Sequence, residues 1–304
     1  MNLMKKITLL GASLMLALTT SVAHADLKVF ATVPEWGSLA ETLGGDKVKV
    51  FTATTGLQDP HRIQARPSLI ARARSANLLI ATGSGLEDGW LPVVQREANN
   101  PDILPNRPGY LATTQFVRML EVPAVVDRTM GDVHAAGNPH IQTDPRNLLP
   151  IAKAISARMQ QLDPDNTVYY QNLLGQFEQS WQANLQRWQK QAAPLRGVKV
   201  WYQHDGYPYM NAWLGLNQVG VLEPRPGVEP PSRQLAEILQ RQQTLQARMV
   251  VASSYMNDAP SKWLSEKANI PVVMLPFTVG GNEQAKSLTS LYDDTLQRLL
   301  AALK

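Results

Sequence analysis

The sequence predicts an α/β fold of two lobes, each a parallel sheet flanked by helices. One long rigid linker helix joins the two lobes. Short apolar runs alternate with helical stretches in the first half of the chain, a rhythm typical of parallel sheets covered by helices. A second alternation of the same kind occupies the last third. Between the two lies a long stretch whose apolar residues recur every three or four positions, as on one face of a helix.

The first lobe is predicted to contain three strands and three helices in turn. Apolar runs predict strands at 27–32, 48–52 and 78–82. Helices are predicted at 36–43, before Gly44 and Gly45, at 67–74, opened by Pro67, and at 87–97.

Two helices are predicted in the middle of the chain. The first starts at Asp144, the expected N-cap, with Pro145 at the first helical position, and it continues to about 161. The second spans 163–191, which at ~1.5 Å per residue is about 40 Å. Its apolar positions are Tyr170, Leu173, Leu174, Phe177, Trp181, Leu185 and Trp188.

A rigid helix between two lobes is the favoured interpretation of this second helix, because a new strand–helix alternation follows it. A plain amphipathic helix inside one domain is the alternative. The predicted units are an N-terminal lobe at 26–162, the linker helix at 163–192 and a C-terminal lobe at 193–304. In the last of these, strands are predicted at 198–202, 249–253 and 271–275, and helices at 233–243 after a Ser232 cap, at 261–268 and at 286–302.

Residues 1–25 have the pattern of a cleaved export signal. Lys5 and Lys6 precede an apolar run at 9–22, and the small-x-small motif Ala23-His24-Ala25 closes the segment. The mature chain is expected to begin at Asp26, and a retained membrane anchor is the alternative. The chain has no cysteine, which excludes disulfides and a lipid-modified N-terminal cysteine. We therefore expect a Gram-negative periplasm, where an outer membrane retains a protein without an anchor.

Charge gives no indication of a nucleic-acid partner. Without the two lysines of the signal, 27 basic and 25 acidic residues remain, and no basic run stands out.

Three histidines are the candidate functional residues. His61 follows Asp59 and Pro60, His140 follows Asn138 and Pro139, and His204 follows an apolar strand-like run. Ligands of α/β sheets bind beyond the carboxyl ends of strands, so a site between two lobes would bring the three rings together. Three imidazoles on one transition-metal ion would leave one position open.

These motifs resemble a known family, the zinc/manganese-binding substrate-binding proteins of ABC transporters (cluster A-I, the periplasmic zinc-binding protein family). The similarity extends over the whole mature chain, and the motifs follow the family's order and spacing. They are Asp59-Pro60-His61, Arg66-Pro67-Ser68, Gly85-Leu86-Glu87, Trp90-Leu91, Asn138-Pro139-His140, Asp144-Pro145, His204-Asp205, Gly227-Val228-Glu229-Pro230 and Gln234-Leu235.

The resemblance implies a divalent metal bound between two lobes by His61, His140 and His204, as the transported substrate. A histidine at the third position is typical of zinc-type members, so Zn²⁺ is the expected ion, with Mn²⁺ as the alternative. Three imidazoles also suit tetrahedral Zn²⁺ better than manganese, which prefers oxygen ligands.

The chain departs from the family near Phe277, where many relatives carry an aspartate after the late strand. The fourth ligand position would then hold water, the nearby Glu283, or no ligand from the protein. His134, in a Gly- and Ala-rich loop with Asp132, is expected to be solvated, with accessory metal ligation as the alternative. Asp59 and Asp205 are candidates for residues that orient the metal ligands without contacting the metal themselves.

The predicted function is that of a binding protein, not an enzyme. It would deliver the metal as a monomer to the permease and ATPase of an importer. A periplasmic metal buffer or metallochaperone without a permease is the alternative. A zinc hydrolase is disfavoured, because the sequence has no His-Glu-x-x-His helix and no obvious general base beside a ligand.

Overall fold

The computed structural model describes residues 26–125 and 134–304. The predicted signal peptide at 1–25 and Asp132 lie outside the described residues. In the described part, no helix combines the length and apolar character needed to cross a lipid bilayer.

Two parallel sheets form the framework of the molecule, as predicted, and each has four strands where three were predicted. The first has the strand order β2-β1-β3-β4 and the second the order β6-β5-β7-β8. The strands of the first are β1 Leu27–Ala31, β2 Val48–Thr52, β3 Leu78–Ala81 and β4 Tyr110–Ala112. Those of the second are β5 Lys199–Tyr202, β6 Asn217–Val221, β7 Met249–Ser253 and β8 Val272–Leu275.

Strands β3 and β7, each inside its sheet, are buried along their whole length. This is expected where helices cover both faces of a parallel sheet. The covering helices are α1 Pro34–Gly44, α2 Pro67–Arg74, α3 Leu91–Ala98, α4 Leu148–Leu162, α5 Thr167–Gln191, α6 Pro208–Leu214, α7 Ser232–Leu245, α8 Ala259–Ala268 and α9 Leu288–Ala301.

The predicted long helix exists as α5 and contacts both halves of the chain. Its 25 residues correspond to about 38 Å at ~1.5 Å per residue. Trp181 donates its indole N–H to the carbonyl of Pro145, before α4. Trp188 donates to Asp293 of α9 at 2.6 Å. The predicted boundaries at 162/163 and 192/193 lie beside the ends of α4 and α5, and the division into domains stays a prediction.

Several element starts differ from the predictions. Helix α3 begins at Leu91 and not at 87, because Glu87 turns inward and accepts hydrogen bonds from Thr32, Thr82 and Gly83. Ser232 is the first residue of α7 and does not cap it; Pro231 is the N-cap residue and provides no side-chain hydrogen bond.

Asp144 caps a short 3₁₀ turn, since its carboxylate accepts from the backbone N–H of Arg146. Its predicted capping role is therefore confirmed one turn before the regular helix α4.

Candidate metal centre

His61 lies in the loop between β2 and α2, and Asp59 fixes its orientation. The Asp59 carboxylate accepts from the His61 backbone N–H at 3.0 Å and pairs with ring Nδ1 at 2.8 Å. Because an ionised carboxylate only accepts hydrogen bonds, Nδ1 carries the proton and Nε2 is left for a ligand. Burial acts to raise the pKa of Asp59, but the hydrogen bonds and charge of His61, with the charge of Arg62, lower it overall.

His140 is buried just before α4 and comes from a turn that Asn138 organises. The Asn138 side-chain oxygen accepts from the His140 backbone N–H, and Thr143 donates its hydroxyl to the His140 carbonyl. Burial, together with three neighbouring imidazoles, lowers the pKa of His140 well below its ordinary value. His140 is therefore neutral at physiological pH, which is the form that binds a metal ion.

His204 lies two residues beyond the carboxyl end of β5 and pairs with Glu223, which follows β6. Ring Nδ1 of His204 is 2.7 Å from Glu223 Oε2, and this carboxylate also accepts from the Gly227 N–H. Burial acts against protonation, but Glu223, Asp205 and Asp59 raise the pKa of His204 overall. Metal binding at this ring would therefore compete with a proton that the neighbouring carboxylates help to hold.

The three rings converge from distant parts of the chain. The ring centres of His61 and His140 are 5.4 Å apart, those of His140 and His204 are 5.6 Å apart, and those of His61 and His204 are 6.2 Å apart. Two imidazoles on one tetrahedral Zn²⁺, each with a Zn–N distance of about 2.0–2.1 Å, place their ring centres about 5 Å apart. The separations of the ring centres are thus within about 1 Å of those in a zinc site.

In this structure the histidine nitrogens are not yet in the positions of metal ligands. Within residues 26–125 and 134–304, no group of three or more His, Cys, Asp or Glu side chains is already arranged to hold a metal ion. Small ring movements would be needed to bring three nitrogens to one point.

His134 lies in the same cluster, and its ring is half-buried where a solvated loop residue was expected. Its Nε2 is 3.3 Å from Nε2 of His61, and their ring centres are 5.4 Å apart. The half-buried ring reaches this place because the backbone turns from His134 to Gly137, whose N–H donates to the His134 carbonyl.

The two acidic candidates from the sequence lie differently. Glu283 is exposed before α9 and has no hydrogen bond to a histidine among the described side chains. The Asp205 carboxylate accepts from Gln218 at 3.1 Å, so it influences His204 through its charge and not by a hydrogen bond.

The side chain of Phe277 packs beside the histidine cluster. Its ring meets that of His140 edge-on at 4.9 Å and also contacts Tyr207 and Tyr255. It is 5% exposed, and an apolar side chain there excludes water from one side of the cluster.

Glu223 is the site residue that sequence reasoning missed. A carboxylate at the carboxyl end of a strand was the available signal, but β6 itself was not predicted. Its sequence, Asn217-Gln218-Val219-Gly220-Val221, is too polar and glycine-containing to be recognised as a strand.

Solvent reaches the cluster from two sides. One cavity of about 160 Å³ is lined by Asp59, His61, His204 and Glu223 among others. The other, of about 120 Å³, is lined by His134, His140 and His204 together with Glu121 and Asp205. A larger cavity of about 250 Å³ between α5 and α6 is lined by no histidine.

Comparison with known proteins agrees with this architecture. The family model of the periplasmic zinc-uptake complex component A, ZnuA, matches residues 29–303. The chain belongs to this family. It is accordingly a metal-binding substrate-binding protein of an ABC transporter, a class that works with a permease and an ATPase.

Relatives within this class are named for different metals. The manganese ABC transporter substrate-binding lipoprotein PsaA of Streptococcus mitis is 22% identical over 88% of this chain and 85% of its own. The iron ABC transporter substrate-binding lipoprotein MtsA of Streptococcus pyogenes serotype M1 is also 22% identical, over 90% and 87% of the two chains. A crystal structure of ZnuA superposes with a TM-score of 0.76 at 21% identity, over 92% of this chain and all of that one.

Proposed function

We propose that this protein captures Zn²⁺ in the periplasm through His61, His140 and His204 and delivers it to the permease of an ABC importer. The observation that carries the proposal is the convergence of three buried or nearly buried imidazoles, with ring centres 5.4–6.2 Å apart. Two come from the N-terminal half and one from the C-terminal half, so a bound ion would connect the two.

The donor set supports zinc over manganese. The nearest acids, Asp59 and Glu223, accept hydrogen bonds from ring Nδ1 atoms, and a phenyl ring stands beside His140. The ligand atoms facing the site are therefore imidazole nitrogens. Imidazole suits tetrahedral Zn²⁺, whereas Mn²⁺ prefers carboxylate and water oxygens.

The same contacts support binding without catalysis. A zinc hydrolase needs a general base within reach of the metal-bound water. Asp59 and Glu223 are the acids closest to the rings, and both orient imidazoles. The proposal is therefore an exported carrier, with its signal peptide removed and no enzyme activity.

A competition titration tests the metal and the ligands together. Metal-stripped mature protein is titrated with Zn²⁺ and with Mn²⁺ against a chelating indicator. We expect one tight zinc site per chain, much weaker manganese binding, and loss of tight binding when any two of the three histidines become alanine. Weak binding of both metals, or nanomolar zinc affinity in a double variant, would contradict the proposal.

Delivery is tested in cells that lack the chromosomal gene. Growth under zinc chelation should be restored by the wild-type protein and not by His61→Ala/His204→Ala. If removing the permease gene leaves this growth unchanged, the protein acts as a buffer or metallochaperone and not as the importer's binding protein.

A further inference from the structure

We propose that His134 is the fourth ligand of the bound ion, which would then be held by four imidazoles. This rests on the proposed function and specifies its coordination. Two nitrogens on a tetrahedral Zn²⁺ with Zn–N distances of about 2.0–2.1 Å lie about 3.3 Å apart. The Nε2 atoms of His134 and His61 are 3.3 Å apart, so this pair already has the spacing of two zinc ligands.

The His134 ring is positioned by the backbone around it. It packs against Gly85, whose φ is +81°, and a Cβ at that position would lie 3.1 Å from His134 Nδ1. The glycine therefore provides the space that the imidazole occupies. Ser84 donates its hydroxyl to the Gly137 carbonyl at 2.6 Å, which attaches the turn after His134 to the same loop.

A second set of contacts fixes the other end of this turn. The Asn138 N–H donates to the Leu120 carbonyl, and the Asn138 side-chain amide donates to the Asp205 carbonyl at 2.8 Å. Tyr209 donates its hydroxyl to the Asn138 carbonyl. The segment that carries His134 and His140 is thus attached to both halves of the protein, and both rings line the cavity of about 120 Å³ beside His204.

The remaining candidates for the fourth position are less well placed. Phe277 offers no donor atom, and Glu283 is exposed. Four neutral imidazoles would leave the ion's double positive charge to be balanced by Asp59 and Glu223. These carboxylates are hydrogen-bonded to the Nδ1 atoms of His61 and His204. Such a site contains no oxygen ligand, so it would discriminate further against Mn²⁺.

The four histidines are also divided unequally between the two halves of the protein. His61, His134 and His140 all precede α4, and only His204 lies in the C-terminal half. Separation of the halves would therefore remove one ligand and leave three.

His134→Gln is the variant that tests the proposal, with Glu283→Gln as the matched control at the other candidate position. Zinc affinity is measured by chelator competition, and the number of imidazoles on the ion by X-ray absorption at the zinc edge. We expect four imidazoles in the wild type, three in His134→Gln with at least tenfold weaker binding, and no change in Glu283→Gln. In His134→Ala, added free imidazole should restore part of the lost affinity, which a merely misfolded variant would not show.

The outcomes separate this proposal from the one it rests on. Three imidazoles in the wild type, with unchanged affinity in His134→Gln, would mean that His134 only hydrogen-bonds His61; the four-imidazole site would then be wrong and the three-histidine carrier would stand. A loss of affinity in Glu283→Gln alone would assign the fourth position to that acid. A wild-type protein that does not bind zinc would overturn the proposed function itself.

Discussion

Asp59 and Glu223 determine which ring nitrogen of His61 and His204 carries the proton. Each accepts from Nδ1, at 2.8 Å and 2.7 Å respectively, so Nε2 is the free donor atom in both rings. The carboxylates also make the imidazoles better electron donors to a metal. Asp59 is two residues from His61 in sequence, and Glu223 is 19 residues from His204.

Replacing Glu223 should therefore weaken metal binding without removing a ligand. In Glu223→Ala we expect zinc affinity to fall about 10–100-fold, the usual cost of losing such an outer carboxylate, while one ion still binds per chain. Chelator competition measures this. Glu229→Ala is the control, because Glu229 lines the same cavity and its carboxylate accepts from Asn257. Equal affinities of Glu223→Ala and wild type would refute the orienting role.

The histidines were predictable because each has a distinctive local sequence, whereas their supporting contacts were not. Asp59 could be proposed because it is two residues from His61. Glu223 and the placement of His134 depend on tertiary packing, since one follows an unpredicted strand and the other reaches His61 across 73 positions. Hydrophobic periodicity carries no information about such contacts.

At the level of elements, long or strongly apolar segments were predicted well. Strands β2 and β7 and helix α2 have their predicted bounds. The elements that were missed are short and weakly patterned: β4 has three residues, β6 is polar, and α6 has seven residues. Such elements form because the sheet and core around them supply their partners, and their own sequence does not specify them.

Helix α5 joins the core through an aromatic cluster. The Trp181 ring stacks on Phe177 at 5.1 Å and meets Trp188 and Tyr292 edge-on at 5.2 Å and 5.6 Å. Tyr292 belongs to α9 and donates its hydroxyl to the Gln142 carbonyl. The cluster therefore links α5 to the C-terminal half and to the segment that follows His140.

Truncating Trp181 should destabilise the whole protein. Trp181 is 2% exposed, and replacing a buried tryptophan by alanine typically costs about 3–5 kcal/mol. We expect the free energy of unfolding of Trp181→Ala, measured by urea denaturation, to fall by about that amount. Val168→Ala on the same helix, at a position 68% exposed, should change it by less than about 0.5 kcal/mol. Similar midpoints for the two variants would show that the cluster contributes little.

At the scale of the molecule, several hydrogen bonds connect the two halves around the histidines. Arg62 donates to the Gly227 carbonyl at 3.0 Å, Asn138 donates to the Asp205 carbonyl, and Thr278 donates its hydroxyl to Glu35. The structure thus has its halves in contact, and the histidine cluster lies among these contacts. Any separation of the halves would break them together with the ring contacts of His204 with His61 and His140.

Glu35 makes one of these contacts sensitive to pH. It is 3% exposed at the start of α1, and burial, reinforced by the negative charge of Glu87 and opposed by the Thr278 hydrogen bond, raises the pKa of Glu35 to about 7. The folded protein therefore binds this proton more tightly than the unfolded chain. The free energy of unfolding should fall as the pH rises from about 4.5 to about 7, by roughly 3 kcal/mol from this group.

Glu35→Gln removes the titration and keeps the shape of the side chain. We expect the metal-free variant to be about as stable as the wild type at pH 5, where Glu35 is largely neutral in the folded protein. At pH 8 the wild type carries a buried charge, so the variant should be more stable by roughly 2–3 kcal/mol in urea denaturation. A stability difference that is equal at both pH values would show that Glu35 is already ionised in the folded protein at pH 5.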